Sequence, residues 1–213
     1  PCSRSQSSFV LKSKLLIVNI VNSKLLYEVA LTLVPGIGDV NAKKLIAYCG
    51  GAEAVFQEKK KNLLNIFGIG ERTVESIVSQ NVLLRAEREL DFADRNGIRI
   101  LYYLNPDYPK RLQHCYDCPV IIYCKGYTDL NVEKIVGVVG TRNVTEYGKM
   151  LTDKLIDDLV EDNVLVVSGL AYGVDTCAHR SALKNNLKTS AVLAHGFQTI
   201  YPSVNAGLAR KMI

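Results

Sequence analysis

After Lys134 the chain alternates short apolar runs with amphipathic segments, a pattern that few folds accommodate. The apolar runs cover residues 135–139, 164–167 and 190–194, and amphipathic segments at 147–162 and 174–185 separate them. Strands joined in this order by helices form a parallel sheet with right-handed crossovers. Because strands this apolar are typical of sheets covered on both faces, the sequence predicts an α/β fold with a Rossmann-like parallel sheet.

Residues 25–95 instead have a helical periodicity that is interrupted by glycine. Two segments resemble each other, Val34-Pro-Gly-Ile-Gly38 and Ile66-Phe-Gly-Ile-Gly70, and an amphipathic run follows each. Glycine permits the tight turn, and the N–H groups at the start of the next helix can then hold a phosphate. The pattern predicts a small all-α domain of the helix-hairpin-helix (SAM-like) type; alternatively, the turns are only tight connections in a helical bundle. The candidate DNA contacts are Gly36, Gly38, Gly68 and Gly70.

These patterns divide the chain into three predicted parts. Residues 1–24 are an extension outside the fold, residues 25–95 form the helical domain, and residues 96–213 form the Rossmann-like domain. The apolar run at 15–21 is too short to span a membrane. The last residues, Ala209 to Ile213, lie within a helical pattern, so we expect a fragment whose sheet is incomplete at the C-terminus.

The composition permits a polyanionic partner without requiring one. The chain has 26 Lys and Arg against 21 Asp and Glu, a net charge of +5, and the basic residues are spread evenly. Any nucleic-acid surface must therefore be formed by folding. The scattered cysteines favour free thiols in the cytoplasm over a disulfide framework. His114, Cys115, Cys118 and Cys124 have a spacing similar to that of metal ligands, but Cys124 lies in a predicted strand, so we expect no metal and no other cofactor.

Small and polar residues follow each predicted strand, at the edge where parallel sheets bind ligands. They are Gly140, Thr141 and Arg142, then Ser168, Gly169 and Gly173, then His195, Gly196 and Phe197. Glycine and serine let backbone N–H groups approach phosphate oxygens, and Arg142 can bind a phosphate through two hydrogen bonds. The first turn is not Gly-x-Gly-x-x-Gly, no acid ends the second strand and no P-loop occurs. The sequence therefore excludes ordinary nicotinamide and P-loop sites.

Asp175 and His179 lie four residues apart, hence on one helix face, and Ser168 is near in sequence. A Ser-His-Asp arrangement for nucleophilic catalysis is one interpretation. In the other, which we favour, Asp175 tethers the loop before the helix and His179 packs behind it, so that both are structural. We therefore predict a binding protein and not an enzyme.

Three stretches together resemble the DprA (Smf) family of DNA-processing proteins. They are Gly140 to Gly148, Ser168 to Leu183 and Val192 to Asn205, and the upstream Tyr108-Pro109 and Asp117-x-Pro119 elements fit the same pattern. The resemblance implies a bacterial cytoplasmic protein that binds and protects single-stranded DNA and loads the RecA recombinase onto it in natural transformation, without catalysis. It also implies a homodimer, formed through a region that this sequence lacks, and in some members a C-terminal winged helix.

By position, the resemblance assigns phosphate contacts to the first two strand ends, a backbone contact to Lys188 and base stacking to Phe197. His195 is a further candidate for ligand contact. Tyr172 departs from the family, which often has an arginine there, so either a cationic contact is lost or an aromatic one replaces it. The alternative function is that of a nucleotide-binding phosphoribohydrolase of the same Rossmann-like group, whose glycine-rich strand-end loops are related.

Overall fold

The computed structural model describes residues 23–79 and 81–213. It contains two compact units, the first ending at Cys124 and the second running from Lys125 to Ile213. Residues 1–22, most of the predicted extension, lie outside the described residues, whereas residues 23 and 24 are helical. No helix within the described ranges has the length and apolar character needed to cross a membrane.

The first unit is mainly helical. Its elements are α1 (residues 23–33), α2 (Asp39–Cys49), α3 (Ala52–Gln57), α4 (Lys60–Leu63), α5 (Glu71–Ser79), α6 (Leu83–Arg95), β1 (Ile98–Tyr102), α7 (Lys110–Gln113) and β2 (Ile121–Lys125). The strands β1 and β2 form a two-stranded sheet. Glycine ends α2, where Gly50 has a φ of 87° and donates its N–H to the Ile46 carbonyl at 2.9 Å.

One apolar core holds the first unit together. It contains Leu31, Leu63 and Val74, which come from three different helices, and none of these three residues has exposed surface. Tyr102 of β1 and Val120 belong to the same core. The two strands therefore pack with the helices, and the predicted domain boundary between residues 95 and 96 falls inside this unit.

The second unit is a three-stranded parallel sheet with helices between its strands. Its elements are β3 (Ile135–Gly137), α8 (Glu146–Asp158), β4 (Leu165–Ser168), α9 (Val174–Lys184), β5 (Thr189–Ala191), a 3-10 turn (Ser203–Asn205) and α10 (Ala206–Lys211). The strand order is β3-β4-β5, and the register pairs Val166 with Val136 and with Thr189. The predicted α/β fold, a parallel sheet preceded by a helical region, is confirmed.

Helices α8 and α9 lie on one face of this sheet, because right-handed crossovers in chain order place successive helices on the same side. The core between them contains Ile156 of α8, Val166 of β4 and Ala178 of α9. Val139 and Val192, just beyond β3 and β5, are 86% and 67% exposed. The observed strands β3 and β5 thus end before the predicted apolar runs at 135–139 and 190–194, and coverage of both faces of the sheet stays a prediction.

Candidate functional site

The parallel sheet brings the three predicted strand ends to one edge. Since β3, β4 and β5 are parallel neighbours, their carboxyl ends meet there. We call the segments that follow them the first loop (residues 138–145), the second loop (169–173) and the third loop (192–202). Lys188 lies apart from these loops because it precedes β5, at the amino edge of the sheet. The four residues of β4 separate the two edges by about 10 Å.

The first and second loops pack against each other through two glycines. A Cβ atom on Gly140 would lie 2.6 Å from Val174 Cγ2, and one on Gly173 would lie 2.1 Å from the Thr141 carbonyl oxygen. Gly173 also has a φ of 78°, which other residues rarely adopt. The Val174 N–H donates to the same Thr141 carbonyl at 3.1 Å. Larger residues at either glycine would push the two loops apart.

The Asp175 carboxylate fixes the second loop by accepting hydrogen bonds from its backbone. Its Oδ2 atom accepts the N–H groups of Gly169 at 3.1 Å and of Ala171 at 3.3 Å, and the side chain is buried. A Cβ atom on Gly169 would lie 2.8 Å from the same oxygen. The N–H group of Gly169 is therefore already occupied in this conformation and is not free to bind a phosphate.

Asn205, which lies in the 3-10 turn near the end of the chain, also fixes the second loop. The sequence alone does not predict this role. The Asn205 Nδ2 atom donates to the Leu170 carbonyl at 2.9 Å and to Thr176 Oγ1 at 2.8 Å. The Thr176 hydroxyl in turn donates to the Ala171 carbonyl at 2.6 Å. Asn205 lies in the third of the family-like stretches, but 35 residues separate it from Leu170, and no local pattern signals that contact.

Ser168 and His179 are both buried, and their side chains bond to different groups. The Ser168 hydroxyl donates to the Val138 carbonyl of the neighbouring segment at 2.7 Å. His179 has no exposed surface, and its Nδ1 atom lies 2.7 Å from Thr189 Oγ1. Neither contact joins the serine to the histidine, so the geometry does not form the nucleophile and base of a Ser-His-Asp triad.

The protonation of His179 follows from its surroundings. The Thr189 hydroxyl lies 2.7 Å from His179 Nδ1 and 3.0 Å from the Val166 carbonyl oxygen, and its single proton can be donated to only one of them. Burial lowers the pKa of His179 to about 4, and the nearby Asp175 carboxylate and a backbone hydrogen bond with Ser168 offset only part of this effect. The ring is therefore neutral at neutral pH.

His195 organises the third loop. The Tyr201 N–H donates to His195 Nε2 at 3.2 Å. The other ring nitrogen, Nδ1, lies 3.0 Å from the Gly196 carbonyl oxygen. Gly196 is exposed, and a Cβ atom on it would meet nothing within 4 Å, so the backbone does not require glycine there. Phe197 is half-buried in the same loop.

Two tyrosines connect the second and third loops. The rings of Tyr172 and Tyr201 contact each other edge to face, with centroids 6.4 Å apart and planes at 87°. The sequence singles out Tyr172 only as a departure from the family pattern, and nothing in it pairs Tyr172 with Tyr201. The structure thus places an aromatic pair between two of the predicted site segments.

The first loop presents the cation of this edge. Arg142 and Thr141 are exposed, and the Thr141 hydroxyl oxygen accepts the Asn143 N–H at 3.1 Å, which fixes the turn. Arg142 forms no ion pair with any residue that the structure describes. Its guanidinium is therefore available to an external anion.

Lys188 lies beside a cavity at the amino edge of the sheet. This cavity has a volume of about 230 Å³. Its lining residues include Glu133, Lys134, Asp162, Asn163 and Lys188. Lys134 and Asp162 form an ion pair there, so charges of both signs surround Lys188. The two cations that the sequence assigns to the site, Arg142 and Lys188, thus lie at opposite edges.

The two glycine hairpins of the first unit form tight turns. Gly36 and Gly68 have φ values of 80° and 79°, a conformation that favours glycine. Gly38 and Gly70 directly precede α2 and α5. This is the connection that the sequence predicts, whereas contact with DNA stays a prediction.

Acidic residues begin both helices that follow these hairpins. Asp39 is the first residue of α2 and Glu71 the first of α5. The Asp39 carboxylate accepts the Val120 N–H at 2.8 Å. Because a carboxylate at a helix N-terminus occupies the region that favours anions, these acids disfavour a phosphate at the hairpins.

The cysteine cluster does not form a metal centre in the described part of the chain. No group of three or more His, Cys, Asp or Glu residues within residues 23–79 and 81–213 could hold a metal ion. Cys118 instead accepts a hydrogen bond from Lys43 Nζ at 3.3 Å, and Lys43 also donates to the Cys118 carbonyl at 2.9 Å. Cys115 is exposed and Cys124 lies in β2.

The parallel sheet with its three strand-end loops, preceded by a helical region, defines a Rossmann-like α/β protein. A family model described as DNA recombination-mediator protein A matches residues 99–213, more than half of the chain. The chain belongs to this family, and the predicted resemblance to DprA (Smf) proteins is confirmed.

Named relatives support the same assignment. Protein Smf of Synechocystis is 33% identical over 191 residues, which is 88% of this chain and 48% of that protein. DNA processing protein DprA of Bacillus subtilis is 38% identical over 117 residues, 54% of this chain and 39% of that protein. An X-ray structure of DNA processing protein A from Streptococcus pneumoniae superposes with a TM-score of 0.69 at 28% identity, covering 87% of this chain and 63% of that one. The chain therefore spans about half or less of the length of these curated relatives.

Proposed function

We propose that this chain binds single-stranded DNA at the carboxyl edge of its parallel sheet, as a step in processing DNA for recombination. The observation that carries the proposal is that three strand-end loops meet at one edge of the sheet, where the first loop carries Arg142, which is exposed and forms no ion pair with the residues that the structure describes. Arginine binds backbone phosphates, and aromatic side chains stack unpaired bases without sequence preference. Relatives named as DNA processing proteins make DNA the appropriate polymer.

The proposed role is binding and not catalysis. The buried Ser168 hydroxyl and the His179 ring bond to separate partners, so the residues that most resemble a catalytic pair cannot act together. The relatives from Bacillus subtilis and Streptococcus pneumoniae are named for DNA processing and not for a chemical reaction. We therefore assign Asp175 and His179 to support of the loops.

For the whole protein, we propose that the bound strand is passed to the RecA recombinase in the cytoplasm during natural transformation, and that the protein acts as a homodimer. The family description as a recombination mediator supports a transfer of this kind. The rate at which RecA filaments form on single-stranded DNA covered by single-strand-binding protein tests it. The full-length protein is expected to increase this rate, and no increase would contradict loading.

The test of DNA binding is fluorescence anisotropy of a labelled oligonucleotide, single-stranded against duplex, over a series of salt concentrations. We expect a clear preference for the single strand and a steep salt dependence. Arg142→Ala should weaken binding for all sequences and lower the slope of log K against log salt by about one. Lys154→Ala, which removes an exposed charge from α8, is the matched control and should change neither quantity.

Two results would overturn the proposal. Equal affinity for duplex and single-stranded DNA would show that the site does not select an unpaired strand. Release of a free base from a nucleoside monophosphate would instead identify the phosphoribohydrolase activity that the glycine-rich loops also resemble.

A further inference from the structure

Tyr172 and Tyr201 form an exposed aromatic pair at the carboxyl edge of the sheet. Tyr172 is 45% exposed and Tyr201 is 65% exposed, although their rings touch edge to face. Burial of aromatic surface is favourable, so a pair of rings left open to solvent marks a binding surface. The edge-to-face contact keeps the rings nearly perpendicular and leaves ring surface available on both.

The backbone on which each ring stands is fixed by named contacts. On the second loop, the Ala171 N–H bonds to Asp175 and Gly173 packs against Thr141, so both neighbours of Tyr172 are held. On the third loop, the Tyr201 N–H donates to His195 Nε2. A rigid platform loses little conformational entropy when a ligand binds, which favours affinity.

The backbone next to Tyr172 contacts the backbone of Arg142, the cation that would bind a phosphate. A Cβ atom on Gly173 would lie 2.6 Å from the Arg142 carbonyl oxygen, and Gly173 directly follows Tyr172. An aromatic ring and a guanidinium carried on adjoining segments match the two parts of one nucleotide, the π-face of its base and its negatively charged phosphate. A duplex hides the faces of its bases in the stack, so this chemistry selects an unpaired strand.

We propose that Tyr172 and Tyr201 form a stacking site for one unpaired nucleobase, with His195 as the positioning residue that holds Tyr201. The inference rests on the proposed binding of single-stranded DNA at this edge. It also explains how a tyrosine can function at position 172, where the family often has arginine. An aromatic contact with a base of the DNA replaces a cationic contact with the DNA backbone.

The test compares two labelled oligomers of equal length, a deoxythymidine strand and an abasic deoxyribose-phosphate strand. Tyr172→Ala and Tyr201→Ala should each weaken binding of the thymidine strand by about 5-fold to 100-fold and leave the salt slope unchanged. Binding of the abasic strand should not change. Tyr172→Phe keeps the ring and should bind like the unmodified chain, and Tyr127→Ala, which removes a tyrosine that is 92% exposed outside the three loops, should have no effect.

A second measurement reports stacking directly. The fluorescence of a 2-aminopurine base in the oligomer is quenched when that base stacks, and we expect quenching by the unmodified chain and by Tyr172→Phe but not by Tyr172→Ala. His195→Ala should reduce the quenching, because the Tyr201 backbone loses its hydrogen bond.

The outcomes separate this inference from the function on which it rests. If the unmodified chain binds both oligomers equally and Tyr172→Ala changes nothing, the stacking site is wrong while binding of the strand stands. If the unmodified chain binds neither oligomer, the proposed function fails, and the stacking site fails with it.

Discussion

Gly173 lies so close to Thr141 that a Cβ atom on the glycine would sit 2.1 Å from the threonine carbonyl oxygen. Two segments that follow different strands are thus in backbone contact, with no side chain between them. The Val174 N–H, one residue further on, donates to the same carbonyl. The first and second loops therefore behave as one rigid element, and a disturbance in either reaches the other.

Gly173→Ala should destabilise the second unit by about 3 kcal/mol or more, because it adds a clash to a φ of 78° that alanine rarely adopts. Urea unfolding followed by circular dichroism measures this loss. The matched control is Gly196→Ala, where the added Cβ atom has open space; its free energy of unfolding should stay within about 0.5 kcal/mol of the parent. Equal effects of the two substitutions would contradict the close contact.

Asp175→Ala should lower stability by about 2–4 kcal/mol, because it leaves two N–H groups of the second loop without their charged acceptor. Amide hydrogen exchange should show faster exchange at Gly169 and Ala171. Asp153→Ala removes an exposed carboxylate from α8 and should change neither result. Unchanged protection of the two amides in Asp175→Ala would show that the loop does not depend on this carboxylate.

His179 should make the second unit less stable in acid. Its pKa is about 4 in the folded chain against 6.5 in the unfolded chain, so between these values the unfolded chain binds more protons. Stability is then lost as the pH falls from 6.5 towards 4, by up to about 3 kcal/mol. His179→Asn keeps a hydrogen-bond donor near Thr189 without titrating, so its unfolding free energy should vary less over this range. An equal pH dependence in both proteins would argue against a buried neutral ring.

Glu28 in the first unit should have the opposite effect. Burial raises the pKa of its carboxyl to about 7, although Lys24 partly opposes this. The folded chain keeps a proton that the unfolded chain releases above 4.5, so stability falls as the pH rises from 4.5 to 7, by up to about 3 kcal/mol. Glu28→Gln should therefore gain stability over the parent at pH 8 and match it at pH 4. Thermal unfolding at the two pH values measures the difference.

Arg142→Ala and Lys188→Ala should differ in their effect on DNA binding, since the two cations lie at opposite edges of the sheet and we propose that the DNA binds at the carboxyl edge. Arg142→Ala is expected to lower the slope of log K against log salt by about one, and Lys188→Ala to leave this slope close to that of the unmodified chain. Fluorescence anisotropy of a labelled single strand over a salt series measures both slopes. A slope lowered by about one in Lys188→Ala would show that the DNA also contacts the amino edge.

The order of elements was predictable because apolar periodicity and glycine report local structure. The three parallel strands, the helices between them and the glycine turns at Gly36 and Gly68 appear in the predicted order and overlap the predicted segments, although β3 and β5 end two and three residues earlier than the apolar runs. Lys188 shows where a match to a family pattern is insufficient. The pattern assigns it a DNA contact, but a residue that directly precedes a parallel strand lies at the amino edge of the sheet, opposite the three strand-end loops.

The partners of individual side chains were not predictable, because they join distant parts of the chain. Asn205 meets Leu170 across 35 residues, and Tyr201 meets Tyr172 across a similar distance. These side chains become neighbours only when the third loop and the 3-10 turn that follows it pack near the second loop. Burial likewise decided the state of His179, whose spacing from Asp175 alone fits either a catalytic or a structural role.

The hydrogen bonds of Asp175 to the second loop have a consequence for the size of ligand that the carboxyl edge of the sheet can bind. Asp175 already occupies the N–H groups that would otherwise enclose a single phosphate, and so acts as an anion supplied by the protein itself. A mononucleotide would have to compete with it for one strong contact. A long strand spreads its attachment over several weak contacts and needs no such displacement, so the edge favours polymers over their monomers.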